Sequence, residues 1–435
     1  IVSMVNIIAS RVVLDALGAS DFGLYNVVGG IVILLNVVNT AMLATTYRYL
    51  AFEIGKKLGG NPNKIFNTSL LIHAVFAIGL ITVGIAVGDW YICNYLNIVP
   101  DKISDAIFVF HISIITAALS TLFVPFQGLQ VAYEKFTVNA AIDIISQSIK
   151  LAAIILLIYS DTNRLRLYSM IMLSYTFFSC VLYVGYCVMH YWNVIKPTVY
   201  KDSKLIKEML QYALWTMFGA LASVGKSQGS AVIINFFFGT VVNAAFAVAT
   251  QIESFVLVFA RSLNSAAVPQ ITKNFSGGNS GRSIKLTSYI SKYTFILMCF
   301  VAFPVLLEMD FLLSIWLKEV PEGSATFCRL MILCALLGCL GEGIPALVNA
   351  TGNIKNYQII IHSFTLLGLP ISFVCYKLGA TPFAILKVFC CISFLLAFIR
   401  LYLLKRIFDF DVRQFIEISF IKIGLISIPL LLWSR

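Results

Sequence analysis

The sequence predicts an all-α integral membrane protein: two six-helix lobes related by a parallel internal repeat, plus at least one extra C-terminal helix. Three observations predict it. Of 435 residues, 60% are hydrophobic and only 12% are charged, against about 25% charged in soluble domains. The apolar runs reach about 20 residues or more, the length that crosses roughly 30 Å of hydrocarbon. Segments about 220 residues apart resemble one another.

The apolar runs do not alternate with the period of two that outer-membrane strands show. They read as helices, in order: a partial first span to Leu14, then Leu24–Tyr47, Ile65–Val87, Ile103–Leu129, Val138–Tyr159 and Leu167–Tyr191. A basic stretch, "NVIKPTVYKDSKLIKE", follows. The second set is Tyr212–Phe238, Val241–Val268, Ser288–Leu307, Ala325–Ala350, Tyr357–Tyr376 and Pro382–Leu404, with a further apolar segment at Phe415–Trp433. The organisation expected is an N-terminal lobe over 1–195, a basic linker over 196–209, a C-terminal lobe over 210–405 and an additional span within 406–435. The chain opens at Ile1 already apolar and closes on "SIPLLLWSR". The expectation is a protein cut at both ends, with the first helix truncated.

Lysine and arginine set the orientation. With the N-terminus in the cytoplasm, the inner loops carry Arg48, Lys56, Lys57 and Lys64, then Lys135, then Lys196, Lys201, Lys204 and Lys207, then Lys273, Arg282 and Lys285, then Lys355, then Lys405, Arg406 and Arg413. The opposite loops hold acids: Asp89, Asp101 and Asp105, then Glu308, Asp310, Glu319 and Glu322. The net charge of +11 is therefore that of cytoplasmic loops, not of a nucleic-acid stripe.

The repeat rests on nearly constant spacing. "YLNIVP" ends at Pro100 and "WLKEVP" at Pro321, an offset of 221 residues. "LGASDFGLYNVV" from Leu17 and "FGTVVNAAFAVA" from Phe238 share that offset; Val124-Pro125 matches Ile344-Pro345 at 220, and "LGGN" at Leu58 matches "SGGN" at Ser276 at 218. Six spans separate the copies, so they share an orientation. Parallel repeats of this kind mark secondary transporters with a midplane site between the halves; duplication without transport is the bland alternative.

Several chemistries fall away. Gly225-Lys226-Ser227 looks like the tail of a phosphate-binding loop, but Gly219 leaves five residues before Gly225 where that loop needs four, and the flanks are apolar for a membrane-spanning distance. No nucleotide is expected, and no nucleic acid. The ten cysteines form no CxxC pair, and Cys180, Cys187, Cys334 and Cys339 read as small hydrophobes. The four histidines, His73, His111, His190 and His362, lack metal-ligand spacing. No metal, cofactor or catalytic constellation is expected.

The informative residues are charges inside apolar runs, because ionisable groups at that depth are expensive and functional by default. Lys226 and Glu253 lie about thirteen residues on either side of a turn near Gly239-Thr240, at matching depth roughly 20 Å from the outer surface. They are an ion pair, or Lys226 draws an anionic substrate group into a cavity. Lys150, Lys387 and Glu342 also read as deep. Glu342 sits in "GEGIPALVNATGN", where Pro345 removes a backbone hydrogen bond and bends a helix; this suits a gate, an ion site or a packing kink. Arg11 faces a cavity or packs in the helix. Arg48 and Arg261 lie near cytoplasmic helix ends, where arginines snorkel.

One stretch has a resemblance of its own. "SRVVLDALGASDFGLYNVVGGIVILLNVVNTAMLATTYRYLAFEIGK", Ser10–Lys56, resembles the opening of bacterial polysaccharide-biosynthesis membrane proteins of the O-antigen flippase type, in the multidrug/oligosaccharidyl-lipid/polysaccharide exporter superfamily. LG-x-x-[DE]-[FY]-G-x-Y, here Leu17–Tyr25, is the most recognisable part, and "NATGN", Asn349–Asn353, resembles a weaker family feature. The resemblance implies a bacterial inner-membrane flippase with its N-terminus in the cytoplasm. It implies a polyprenyl-diphosphate-linked oligosaccharide as substrate, membrane lipid as surroundings, and alternating access for surface polysaccharide and lipopolysaccharide assembly. Cavity cations would meet the diphosphate; depth points to Lys226, Lys150 and Arg11. The alternatives are an ion-coupled drug or metabolite antiporter using Glu253 and Glu342 with a proton or sodium ion, and a membrane glycan polymerase or ligase. Short outer loops without histidine argue against the enzyme.

Overall fold

The computed structural model describes residues 12–13, 16–18, 21, 24–25, 38–56, 59–95, 100–157, 159–160, 162–317, 320–407 and 415. Arg11 and all but one residue of Phe415–Trp433 lie outside them. Among the described residues every regular element is helical. α1 is described over 38–55. Then come α2 (Pro62–Tyr95), a short 3-10 turn at Pro100–Lys102, α3 (Ile103–Ala132), α4 (Phe136–Leu157), α5 (Arg164–Ile195), α6 (Ser203–Ser276), α7 (Ser280–Leu307), α8 (Met309–Trp316), α9 (Ser324–Cys339), α10 (Ile344–Thr351), α11 (Lys355–Lys377) and α12 (Ala384–Ile407). Eight of these are long and apolar enough to cross a membrane, or nine if the bent pair α9–α10 is one span. Large apolar side chains stand on their outer faces, Val75 at 64% and Phe236 at 75% exposed, the pattern of helices solvated by lipid. The protein is a multi-pass membrane protein.

The chain divides into two compact units, Ile1–Ile54 with Gly59–Ala213, and Gly55–Leu58 with Leu214–Arg435. In the first, α2 and α3 pack closely, with Gly88 against the Phe110 ring and Gly84 against Ile114. Leu50, Phe66, Leu129, Cys187 and Met209 fill a core at one end of that unit. In the second, a larger core runs through Ile234, Val256, Met298, Phe327, Ile332 and Phe389.

The structure departs from the sequence expectation in four places. The expected linker is helical from Ser203, because Leu205, Met209 and Tyr212 form one apolar face, with Lys204, Lys207 and Glu208 facing out. α8 occupies what reads as a loop; Met309 and Leu313 are buried and anchor it. Arg48 does not reach for the interface: it is 6% exposed, its guanidinium 4.5 Å from the Tyr49 ring centroid and 5.4 Å from that of Tyr212. Lys387 is not deep: it is the fourth residue of α12, and exposed.

α6, at 74 residues, is one hydrogen-bonded run broken at Gly239, where φ is 79° and ψ −174°. Only glycine adopts such a φ readily. Glu253 lies in electrostatic range of Lys226, although a straight helix would hold residues so spaced about 40 Å apart. The chain therefore doubles back at Gly239, where the sequence places its turn.

α9 and α10 meet at 46°. The bend lies in the turn at 340–343, before Pro345, which sits in the first turn of α10, where its missing N–H is no loss. Gly343 permits the bend by close approach: a Cβ there would strike the Thr287 carbonyl oxygen of α7. Its N–H donates to Ser291 Oγ at 3.1 Å.

Candidate functional site: buried charges within each unit

In the first unit the polar face of α4 turns towards α5. Lys150 is 8% exposed, and its ammonium lies 5.0 Å from the Tyr175 ring centroid. The Gln147 amide donates to Tyr175 Oη at 2.9 Å. Two turns before Lys150, Asp143 accepts from Tyr183 Oη at 2.9 Å. Asn139, Asp143, Gln147 and Lys150 follow helical spacing along one stripe. A carboxylate and an ammonium, each steadied by a tyrosine, so line one side of a membrane-spanning helix. Sequence reading points to Lys150 and misses Asp143, although Asp143 is an ionisable group in the same apolar run and the same argument would find it.

In the second unit Lys226 and Glu253 come together loosely. Glu253 feels the charges of Lys226 and Arg261. Among the described residues, no ion-pair contact joins Lys226 to Glu253. The Lys226 ammonium instead lies 4.7 Å from the ring centroid of buried Phe389, an attraction worth about 2 kcal/mol once desolvated. An ammonium over a ring keeps donors free, which a tight pair would not.

A second cluster surrounds the α9–α10 bend. Asn264 of α6 donates its amide to Glu342 Oε1 at 2.7 Å. Arg400 of α12 and Arg261 act on the same carboxylate through space. Arg400 donates to the Gly338 carbonyl at 3.3 Å, and its stem packs where a Gly341 side chain would be. Tyr357 of α11 is in range of both Arg400 and Glu342. One turn on, His362 and Gln358 close against Gly219 of α6. Sequence reading finds Glu342 but misses Arg400, although Arg400 lies inside the apolar run Pro382–Leu404 and the same argument would find it. It also misses Asn264, Tyr357 and Gln358, which are neutral and carry no such signal.

No family model and no curated protein matches this chain. Solved structures do. A MATE protein in the bent conformation aligns over 93% of this chain and 92% of its own, with TM-score 0.80 and 12% identity. A MOP superfamily transporter from Pyrococcus furiosus Vc1 (DSM3638), whose binding pocket of reverse polarity suggests a different function, aligns over 93% and 91%, at 0.79 and 12%. The MATE transporter ClbM in complex with Rb+ aligns over 93% and 91%, at 0.76 and 13%.

The chain has the fold of MATE transporters of the MOP superfamily. The all-helical architecture expected from hydropathy is thereby shown.

Proposed function

We propose that the protein is a secondary transporter that works by alternating access, driven by a proton or a monovalent cation, and that it exports an amphipathic metabolite or drug-like solute. The observation that carries this reading is Glu342, a carboxylate inside an apolar bend and held there by Asn264. A buried acid at a helix break is a group whose charge an ion can switch. The shared fold supports it: one neighbour is an outward-facing multidrug resistance MATE family transporter, and ClbM carries Rb+. Glu253, close to Lys226, is the second coupling candidate.

A second reading has its own support. The Leu17–Tyr25 motif resembles O-antigen flippases, and Lys150 and Lys226 are intramembrane cations suited to a diphosphate. On that reading the cargo is polyprenyl-diphosphate-linked oligosaccharide, moved between leaflets of the bacterial inner membrane, with the N-terminus in the cytoplasm and Arg11 a third cavity cation.

Purified protein in proteoliposomes tests both. Export predicts that an imposed proton or sodium gradient drives accumulation of an amphipathic dye such as ethidium, and that Glu342→Gln uncouples it. Flipping predicts that a labelled polyprenyl-diphosphate oligosaccharide becomes accessible to an outside glycan-modifying enzyme. Neither activity, across both gradients, would overturn the transporter reading.

A further inference from the structure

The first unit holds a cavity of about 20 Å³, lined from three helices by Met42, Thr45, Thr46, Ser69, His73 and Met209 among others. That is room for one water molecule or one ion. Its Nδ1 turned back on α2, His73 stands 2.7 Å from the Ser69 carbonyl oxygen. A carbonyl only accepts, so Nδ1 carries the hydrogen, and the neutral ring presents Nε2 as a lone pair. Nε2 is buried and has no hydrogen-bond partner. The hydroxyls on the cavity wall are engaged elsewhere. Thr45 donates to the Ala41 carbonyl at 2.8 Å, and Thr46 and Ser69 pair with each other at 2.7 Å. What the ring lacks is a donor or a cation; an anion would meet its lone pair and be repelled.

We propose that His73 Nε2 and the thioether sulfurs of Met42 and Met209 bind one soft monovalent metal ion, Cu(I), for which Ag(I) is the redox-stable stand-in. Each of three helices contributes one ligand: Met42 from α1, His73 from α2 and Met209 from α6. All three side chains are buried, at 7%, 2% and 2% exposure. Thioether and imidazole select copper of this kind, whereas magnesium, calcium and manganese are held by carboxylate, carbonyl and water. The cavity wall has no carboxylate, and among the described residues no three His, Cys, Asp or Glu side chains cluster to hold a different metal. The bond from Nδ1 to a backbone carbonyl is the one that metal-ligating histidines make, because it fixes tautomer and ring orientation. The next cation along α1, Arg48, has its guanidinium over the rings of Tyr49, Phe52 and Tyr212. No sequence spacing reports this set, since its members stand at positions 42, 73 and 209. The site goes beyond the transport reading above and does not rest on it.

Cysteines also bind silver, and the chain has ten of them, so the readout is placed on methionine. The purified full chain, its methionine methyl groups labelled with carbon-13, is titrated with silver nitrate in chloride-free buffer and followed by NMR. Met42→Leu and Met209→Leu, which conserve most of the volume, assign the two methyl resonances. Expected is that both shift together with one midpoint, and that sodium and magnesium nitrate leave them in place. His73→Gln should weaken the silver response of both by more than about tenfold, a loss that even an outer contact of a metal ligand commonly causes. If His73→Gln does not fold, the two leucine variants carry the test, each weakening the response read on the other methionine. The proposal is overturned if neither methyl moves, which leaves the cavity to a water molecule and the methionines to packing. It is also overturned if sodium or magnesium shifts them as silver does, or if losing one ligand leaves the response of the others unchanged. No transport is measured, so failure here leaves the transporter reading standing, and failure of transport leaves this site standing.

Discussion

At the scale of single residues, Lys226 separates a binding role from a structural one. Its ammonium lies over Phe389 rather than in a tight pair with Glu253. If it meets substrate, Lys226→Ala abolishes transport while the protein still inserts and accumulates. If it only balances Glu253, the single change lowers protein level, and Lys226→Met with Glu253→Gln restores both level and transport. Immunoblot level beside transport rate reads the difference. Phe389→Leu removes the ring while conserving most volume; it should lower stability in detergent by about 1–2 kcal/mol, and Lys226→Met should absorb part of that loss. How much of the site could be read from sequence follows from charge. Lys226, Lys150, Glu253 and Glu342 stand out because an ionisable group in an apolar run needs a reason. Tyr357 and Asn264 are neutral and common in helices, and only the fold brings them to Glu342. Arg400 is an ionisable group inside the apolar run Pro382–Leu404, so the charge argument covers it too; only its place beside Glu342 needs the fold.

At the scale of elements, the two breaks are legible to different degrees. Gly239 stands between two apolar stretches, each long enough to cross the membrane, so length alone places the turn. Gly239→Val puts a β-branched residue at φ 79°, a backbone cost on the order of 1–2 kcal/mol; the thermal midpoint of unfolding should fall accordingly. From sequence Pro345 reads as the cause of the second break, yet the bend lies before it, because Gly343 lets the chain touch α7. Gly343→Ala should therefore destabilise more than Pro345→Ala, measured in the same melts, because its Cβ has backbone for a neighbour and backbone cannot step aside. At one end of the first unit, Asp202 pairs with Lys64 at 2.7 Å. The hydrogen bond from Lys64 holds the Asp202 carboxyl below its usual range. A depressed carboxyl stabilises above its unfolded-state value and loses that contribution as pH falls through the folded one. The stability gap between wild type and Asp202→Asn should therefore be present at neutral pH and close on acidification. The pair is exposed, so the gap is small.

At the scale of the whole molecule, hydropathy was sufficient for the helical membrane fold, since lipid admits few architectures, and the solved transporters share it across nearly the full chain. Cargo is harder to read, because one fold serves many solutes. The two cargoes proposed above, an amphipathic solute and a lipid-linked sugar, share one proposal: that Glu342 is the group that senses the ion. The most direct test of that claim is pH-jump transport in proteoliposomes, comparing wild type with Glu342→Gln for both ethidium and labelled polyprenyl-diphosphate oligosaccharide. Wild type should move at least one cargo faster when the gradient is imposed, and Glu342→Gln should respond to no gradient while remaining folded. A Glu342→Gln protein that answers the gradient as wild type does would contradict it.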